Sequence, residues 1–196
     1  MFLLSGAEAR RCGRGAHYAI PAEWADADHL DGATADQLRA FIDSLDDRSR
    51  ELRAGGWALM TDKAWHLIHR CLTDGTLGGG WTAGHLCVLG PTDAYWVERE
   101  GGGVDWIVNL LGPDDVREAA AFARGIDGAE FRRRYDAIDP EGCDYEPWPD
   151  DFESALGSFL QLQRFFGRAA RAGRWVVFVA GGPAEPGPAP DPPAPR

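Results

Sequence analysis

Near its C-terminal end the chain reads Trp175-Val176-Val177-Phe178-Val179-Ala180, six apolar residues with no polar alternation. A strand with one wet face alternates polar and apolar side chains, so this unbroken β-branched and aromatic run predicts a central strand covered on both faces. Any fold for this chain must place that strand inside a sheet and supply enough apolar surface to cover it twice.

The cover comes from segments of helical period. Leu156, Phe159, Leu160, Leu162, Phe166 and Ala169 predict a long helix from Phe152 that Gly173 closes. Thr34 and Gln37 form a capping box ahead of Leu38, Phe41, Ile42, Leu45 and Leu52, which repeat at helical spacing until Gly55 and Gly56. A second helix is predicted from Thr61 or Asp62 to about Thr73, with Ala64, Trp65, Leu67, Ile68, Cys71 and Leu72 on one wide apolar arc. Pro113 fits a first helical position, and Asp114 and Asp115 suit the positive end of a helix running to about Arg124. A short helix follows over 129–136.

Strands are predicted at His17–Ile20, Leu86–Leu89, Tyr95–Val97 and Val104–Leu111, most of them bounded by glycine or proline. They alternate irregularly with the helices. The fold class is therefore α+β: one domain over residues 16–180, a small mixed sheet packed with about four to five helices, the long C-terminal helix preceding a buried last strand. Residues 1–15 lack periodicity and read as a flexible leader, while 181–196, with seven prolines, read as a disordered tail. Met1-Phe2-Leu3-Leu4 is too short for a signal-peptide core, and no run approaches membrane length, so the expected compartment is the cytoplasm.

Charge narrows the partners. Asp and Glu outnumber Lys and Arg 31 to 20, a formal net charge of −11, which opposes phosphate backbones and anionic membranes and favours a basic protein. Cys12, Cys71, Cys87 and Cys143 are scattered without a CxxC pair, so neither a zinc ribbon nor a disulfide framework is expected.

The segment Lys63-Ala64-Trp65-His66-Leu67-Ile68-His69, continuing through Leu72-Thr73 to Gly75, resembles the signature of the YfbM-like family, domain of unknown function 1877. The resemblance extends over about residues 16–180. It implies an initial strand, an acidic helix, the Trp-His helix, a strand at Val88-Leu89-Gly90, a helix opened by Pro113-Asp114-Asp115, an acidic Trp-Pro loop, a long helix and a last strand. Gly112 stands where such sequences have Thr or Ser, and the Pro-rich tail is extra. The resemblance implies a bacterial cytosolic domain without established chemistry, so it transfers no catalytic residues.

Two groups of residues carry functional readings. His66 and His69 lie about 60° apart on their helix and could share an ion or a substrate, with His85, Cys87, Tyr18 or an acid completing the set. Asp62 and Asp74 could orient a ring, and Cys71 could serve as nucleophile. The bland alternative is that these histidines are satisfied structural residues and Cys71 an inert hydrophobe. The glycine runs at 78–80 and 101–103 lack the Lys-Ser/Thr of a phosphate loop and read as turns, and Arg132-Arg133-Arg134 reads as a solvated helix face.

The second group is the acidic loop over 139–151, where Tyr145 and Trp148 stand among carboxylates that include Asp150 and Asp151. It reads either as a soluble loop or as a binding surface with aromatic anchors inside an acidic rim. The working expectation is a non-enzymatic protein-binding module without cofactor or metal, conceivably neutralising a basic toxin or nuclease. The alternative is a small-molecule or metal-dependent enzyme around His66 and His69.

Overall fold

The computed structural model describes residues 14–25, 33–77, 80–90, 95–98, 104–139 and 149–181. Strand β1 (Arg14–Ile20) leads through a single 3-10 turn (Ala22–Trp24) to helix α1 (Ala35–Ala54) and strand β2 (Ala58–Asp62). Helices α2 (Trp65–Leu72) and α3 (Ala83–Leu86) precede strands β3 (Tyr95–Glu98) and β4 (Val104–Leu111). Helices α4 (Pro113–Arg124), α5 (Gly128–Asp136) and α6 (Pro149–Arg171) follow, and β5 (Trp175–Gly181) closes the fold.

The five strands form one sheet in the order β2-β1-β5-β4-β3, so the chain's last strand lies at its centre. Every ladder is antiparallel, which corrects the expectation of a mixed sheet within the α+β fold. The continuous apolar run of β5 comes from double coverage, and coverage is indifferent to the direction of the neighbouring strands. Val176, Phe178 and Ala180 enter the core shared with α2, α4, α5 and α6, whereas Val177 and Val179 enter the one beneath α1. The molecule is thus helices, sheet and a single long helix in three layers.

Helix α1 starts where its capping box places it: Thr34 accepts from the Gln37 amide, and the Gln37 side chain accepts from the Thr34 amide. Its buried side chains Leu38, Ile42, Leu45 and Leu52 recur at helical spacing and lie on the sheet. Helix α4 begins at Pro113 after Gly112, which supplies no side-chain cap, and Asp114 and Asp115 occupy its first turn. The leader expected over 1–15 gives up Arg14 and Gly15 to β1; residues 1–13 and 182–196 lie outside the described residues.

Two local expectations are overturned. Ala58–Asp62 is a strand paired with β1, and the Trp-His helix is correspondingly shorter, beginning at Trp65. Asp62 ends the strand at φ 42°, a left-handed conformation that Asp tolerates better than most residues, and this turns the chain from strand to helix. The strand predicted at Leu86–Leu89, and the one implied at Val88-Leu89-Gly90, is instead the end of α3 and a tight turn. All four of its apolar residues are buried in the core, because a short apolar run is compatible with any backbone that can bury it.

That turn is seated by close backbone contact. A Cβ built at Gly84 would overlap the carbonyl oxygen of Leu72, so α3 crosses the end of α2 with no space for a side chain. Gly84→Ala is expected to cost about 1–3 kcal/mol, since neither backbone can yield alone. A fall in the urea midpoint at unchanged slope would establish this, and an unchanged midpoint would refute it.

Facing the turn, three residues stand in register across the sheet: His17 on β1, Phe178 on β5 and Asn109 on β4. His17 Nε2 lies 3.1 Å from the Cys87 carbonyl oxygen. A carbonyl only accepts, so Nε2 carries the proton and Nδ1 is left as a buried acceptor without a partner. A Cβ at Gly90, itself at φ 69°, would overlap the Asn109 amide, so this glycine serves both the turn and the close approach. No helix among the described residues is long and apolar enough to cross a membrane.

Candidate functional site

Helix α2 spans only eight residues, and all but His66 are buried. Its arc of Trp65, Leu67, Ile68, Cys71 and Leu72 lies in the core as its spacing predicts. Trp65, at the first helical position, is 0% exposed, with its ring centre 5.8 Å from that of Phe178. The β1 backbone runs directly across the indole, since a Cβ at Gly15 would stand 2.7 Å from Trp65 Cδ1.

The two candidate histidines occupy different surroundings. His69 is 0% exposed, and its ring meets that of His85 on α3 edge-on at 5.5 Å. His66 is half-buried and sets its ring edge-on to Trp65 at 6.0 Å. The fold therefore brings His69 together with His85. His85 shares a hydrogen bond of 2.6 Å between Nδ1 and Thr82 Oγ1, and burial lowers its pKa against the opposing pull of Asp74. Asp74 in turn accepts from the Thr76 hydroxyl at 2.7 Å and the Thr76 amide at 3.1 Å, which hold its carboxyl below the usual range.

Other proposed members of the site are separated from it. Tyr18 packs on the opposite face of the sheet with the residues beneath α1, where its hydroxyl donates to Asp46 at 3.3 Å. Burial first, and the Asp46 charge second, push its pKa up to about 12. With the sheet between them, Tyr18 cannot join His66 and His69. Asp62 is exposed at the end of β2.

Cys71 and Cys87 are both free thiols in the core. Burial pushes the Cys71 thiol up to about 12, against a weaker opposing effect of Arg134, and burial also raises Cys87. The nucleophilic form of cysteine is the thiolate, so Cys71 at neutral pH is an inert hydrophobe rather than an attacking group. Among the described residues, no group of three or more His, Cys, Asp or Glu is placed to hold a metal ion.

Of the proposed binding surface, Tyr145 and Trp148 lie outside the described residues. Asp150 and Asp151 fall on the first turn of α6, which begins at Pro149 rather than Phe152, with proline again at a first helical position. The loop is shortened accordingly. Trp81 was not anticipated as a surface residue: it is 62% exposed, the one exposed large apolar side chain among the described residues. Its signal in the sequence is a tryptophan directly after Gly78-Gly79-Gly80, where neither strand nor helix period exists to bury it.

Comparison with known proteins agrees with this architecture. The model of the family described as Domain of unknown function (DUF1877) matches residues 22–179. Among solved structures, a protein of unknown function, YfbM, from Escherichia coli is similar in fold, with a TM-score of 0.52 at 16% identity. The similarity covers 85% of this chain and 99% of that one. No curated protein matches the chain.

Proposed function

The chain belongs to the family of domain of unknown function 1877, and from that premise we propose that it is a non-enzymatic cytoplasmic module that binds a basic protein partner. The observation that carries this reading is Trp81, the one large apolar side chain exposed to water among the described residues. Exposed tryptophan is costly to solvate and is a preferred anchor at interfaces. A net charge of −11 adds long-range attraction for a basic surface, which accelerates encounter and selects the partner by sign. Tyr145, Trp148, Asp150 and Asp151 supply a second stretch of the same chemistry, aromatic anchors within carboxylates. A basic toxin or nuclease is the kind of partner such a surface would neutralise.

One observation favours a second reading, an enzyme centred on the α2 histidines: the contact of His69 with His85. Against it stand the complete burial of His69 and the protonated Cys71 thiol.

A single set of preparations separates the two. The intact chain as bait is expected to retain a basic protein at low ionic strength and to release it as salt rises. Bait carrying Trp81→Ala together with Trp148→Ala and Asp150→Arg is expected to lose at least about tenfold in affinity. Retention of the same partner by both baits would overturn the proposed surface. Stoichiometric transition metal in the purified protein, lost in His69→Ala, would favour the enzyme instead.

A further inference from the structure

Trp57 follows the glycine turn that ends α1 and lies half-buried where the two core layers meet. Two arginines converge on its indole. The Arg174 guanidinium carbon, from the turn before β5, stands 3.9 Å from the ring centre, and that of Arg168, in the last turn of α6, stands 5.0 Å away. Both guanidinium groups therefore lie against the same side chain.

Among the described residues, no carboxylate forms an ion pair with either arginine. The carboxylates that pair with Arg39, Arg117, Arg132, Arg133 and Arg134 do not reach Arg168 or Arg174. Like charges held together in a strongly acidic chain, without a carboxylate between them, are an unfavourable arrangement unless something negative joins them.

The donor inventory agrees. A guanidinium has five N–H groups in a planar fork, and stacking over a ring occupies its face while leaving those donors free at its edge. Arg174 donates to the Ala19 carbonyl oxygen at 2.9 Å, which fixes its orientation and accounts for one donor. Arg168 rests against Gly56, whose missing Cβ makes room for the guanidinium, and its Nε is buried without any acceptor. Gly56 stands at φ 70°, so the glycine serves the turn as well.

We infer that Trp57, Arg168 and Arg174 form a binding site for a doubly charged oxyanion, such as the phosphate group of a small metabolite. Two cations match its charge, and the free edges of two guanidinium forks match tetrahedral oxygen geometry. Trp57 keeps both arginines in place before the anion arrives. The site is independent of the protein-binding surface proposed above, since none of its three residues belongs to that surface.

Inorganic phosphate is the probe. The intact chain, titrated with phosphate and in parallel with chloride at equal ionic strength, is expected to show a saturable rise in thermal midpoint with phosphate alone. The dissociation constant should be on the order of millimolar. Arg168→Gln and Arg174→Gln are each expected to weaken it by about tenfold with an unchanged far-ultraviolet spectrum. Should either variant not fold, the lysine replacement takes its place, keeping charge and stem while losing the fork, and the same weakening is expected. Equal shifts from phosphate and chloride would overturn the inference. So would phosphate binding left unchanged by the folded variants, which would locate the anion elsewhere.

Discussion

Trp65→Ala is expected to remove about 3–5 kcal/mol of folding stability. The indole is wholly buried between the β1 backbone at Gly15 and the ring of Phe178, so its removal opens a cavity that two strands and a helix border together. Neither strand can collapse into the space, since both are held by ladders on either side. A domain of this size has a total stability of roughly 5–15 kcal/mol, so the variant stands close to the threshold of folding at all. Equilibrium urea denaturation decides the matter. A loss below about 1 kcal/mol would mean that Trp65 is not the centre of the packing.

Acid should act through His17. Burial among Phe165, Phe166 and Phe178 lowers its pKa from 6.5 to about 4, only partly offset by the bond to the Cys87 carbonyl. The folded state then binds fewer protons than the unfolded state between those two values, so stability rises with pH through the window. The contribution is complete above pH 6.5, falls as the pH drops towards 4, and does not change further below it. Its size is about 3 kcal/mol. Carboxylates also destabilise the fold at low pH, so the informative quantity is the difference between the parent and His17→Gln, which cannot titrate. That difference should shift by about 3 kcal/mol in favour of the variant between pH 7 and pH 4. Parallel loss in both proteins would show that another group carries the acid response.

The sequence made the long elements legible because each carries several consistent local signals. Helix α1 combines a reciprocal cap with a stripe of Leu and Ile, and α4 combines Pro113 with two acids in its first turn. The centrality of β5 follows from its composition alone, since an unbroken apolar strand cannot be exposed on either face. Short elements were less legible. Ala58–Asp62 is five residues long and its burial depends on a partner strand far upstream, while 86–89 is apolar whether it extends or turns.

The same division applies to the histidines. The helical step of about 100° per residue places His66 and His69 on one helix and puts His69 beside Trp65 at the border of the apolar arc, on the side that meets the core. His69 meets His85 across an interval of chain that includes the glycine run 78–80, and nothing in the local spacing specifies that meeting. The arginines around Trp57 were illegible for a similar reason. Arg168 and Arg174 bracket the end of a helix, and only the packing of α6 against the turn after α1 brings them to one indole.

The position of β5 between β1 and β4 also constrains how the molecule is made. The β1–β2 pair and the β3–β4 pair share no ladder with each other, so each remains an open two-stranded ribbon until the final segment slots between them. During synthesis the nascent chain must wait, with the apolar flanks of both ribbons unsealed, until residue 181 has left the ribosome. Joining the two ribbons therefore depends on pairing residues about 160 positions apart in the chain, a long-range closure that slows folding.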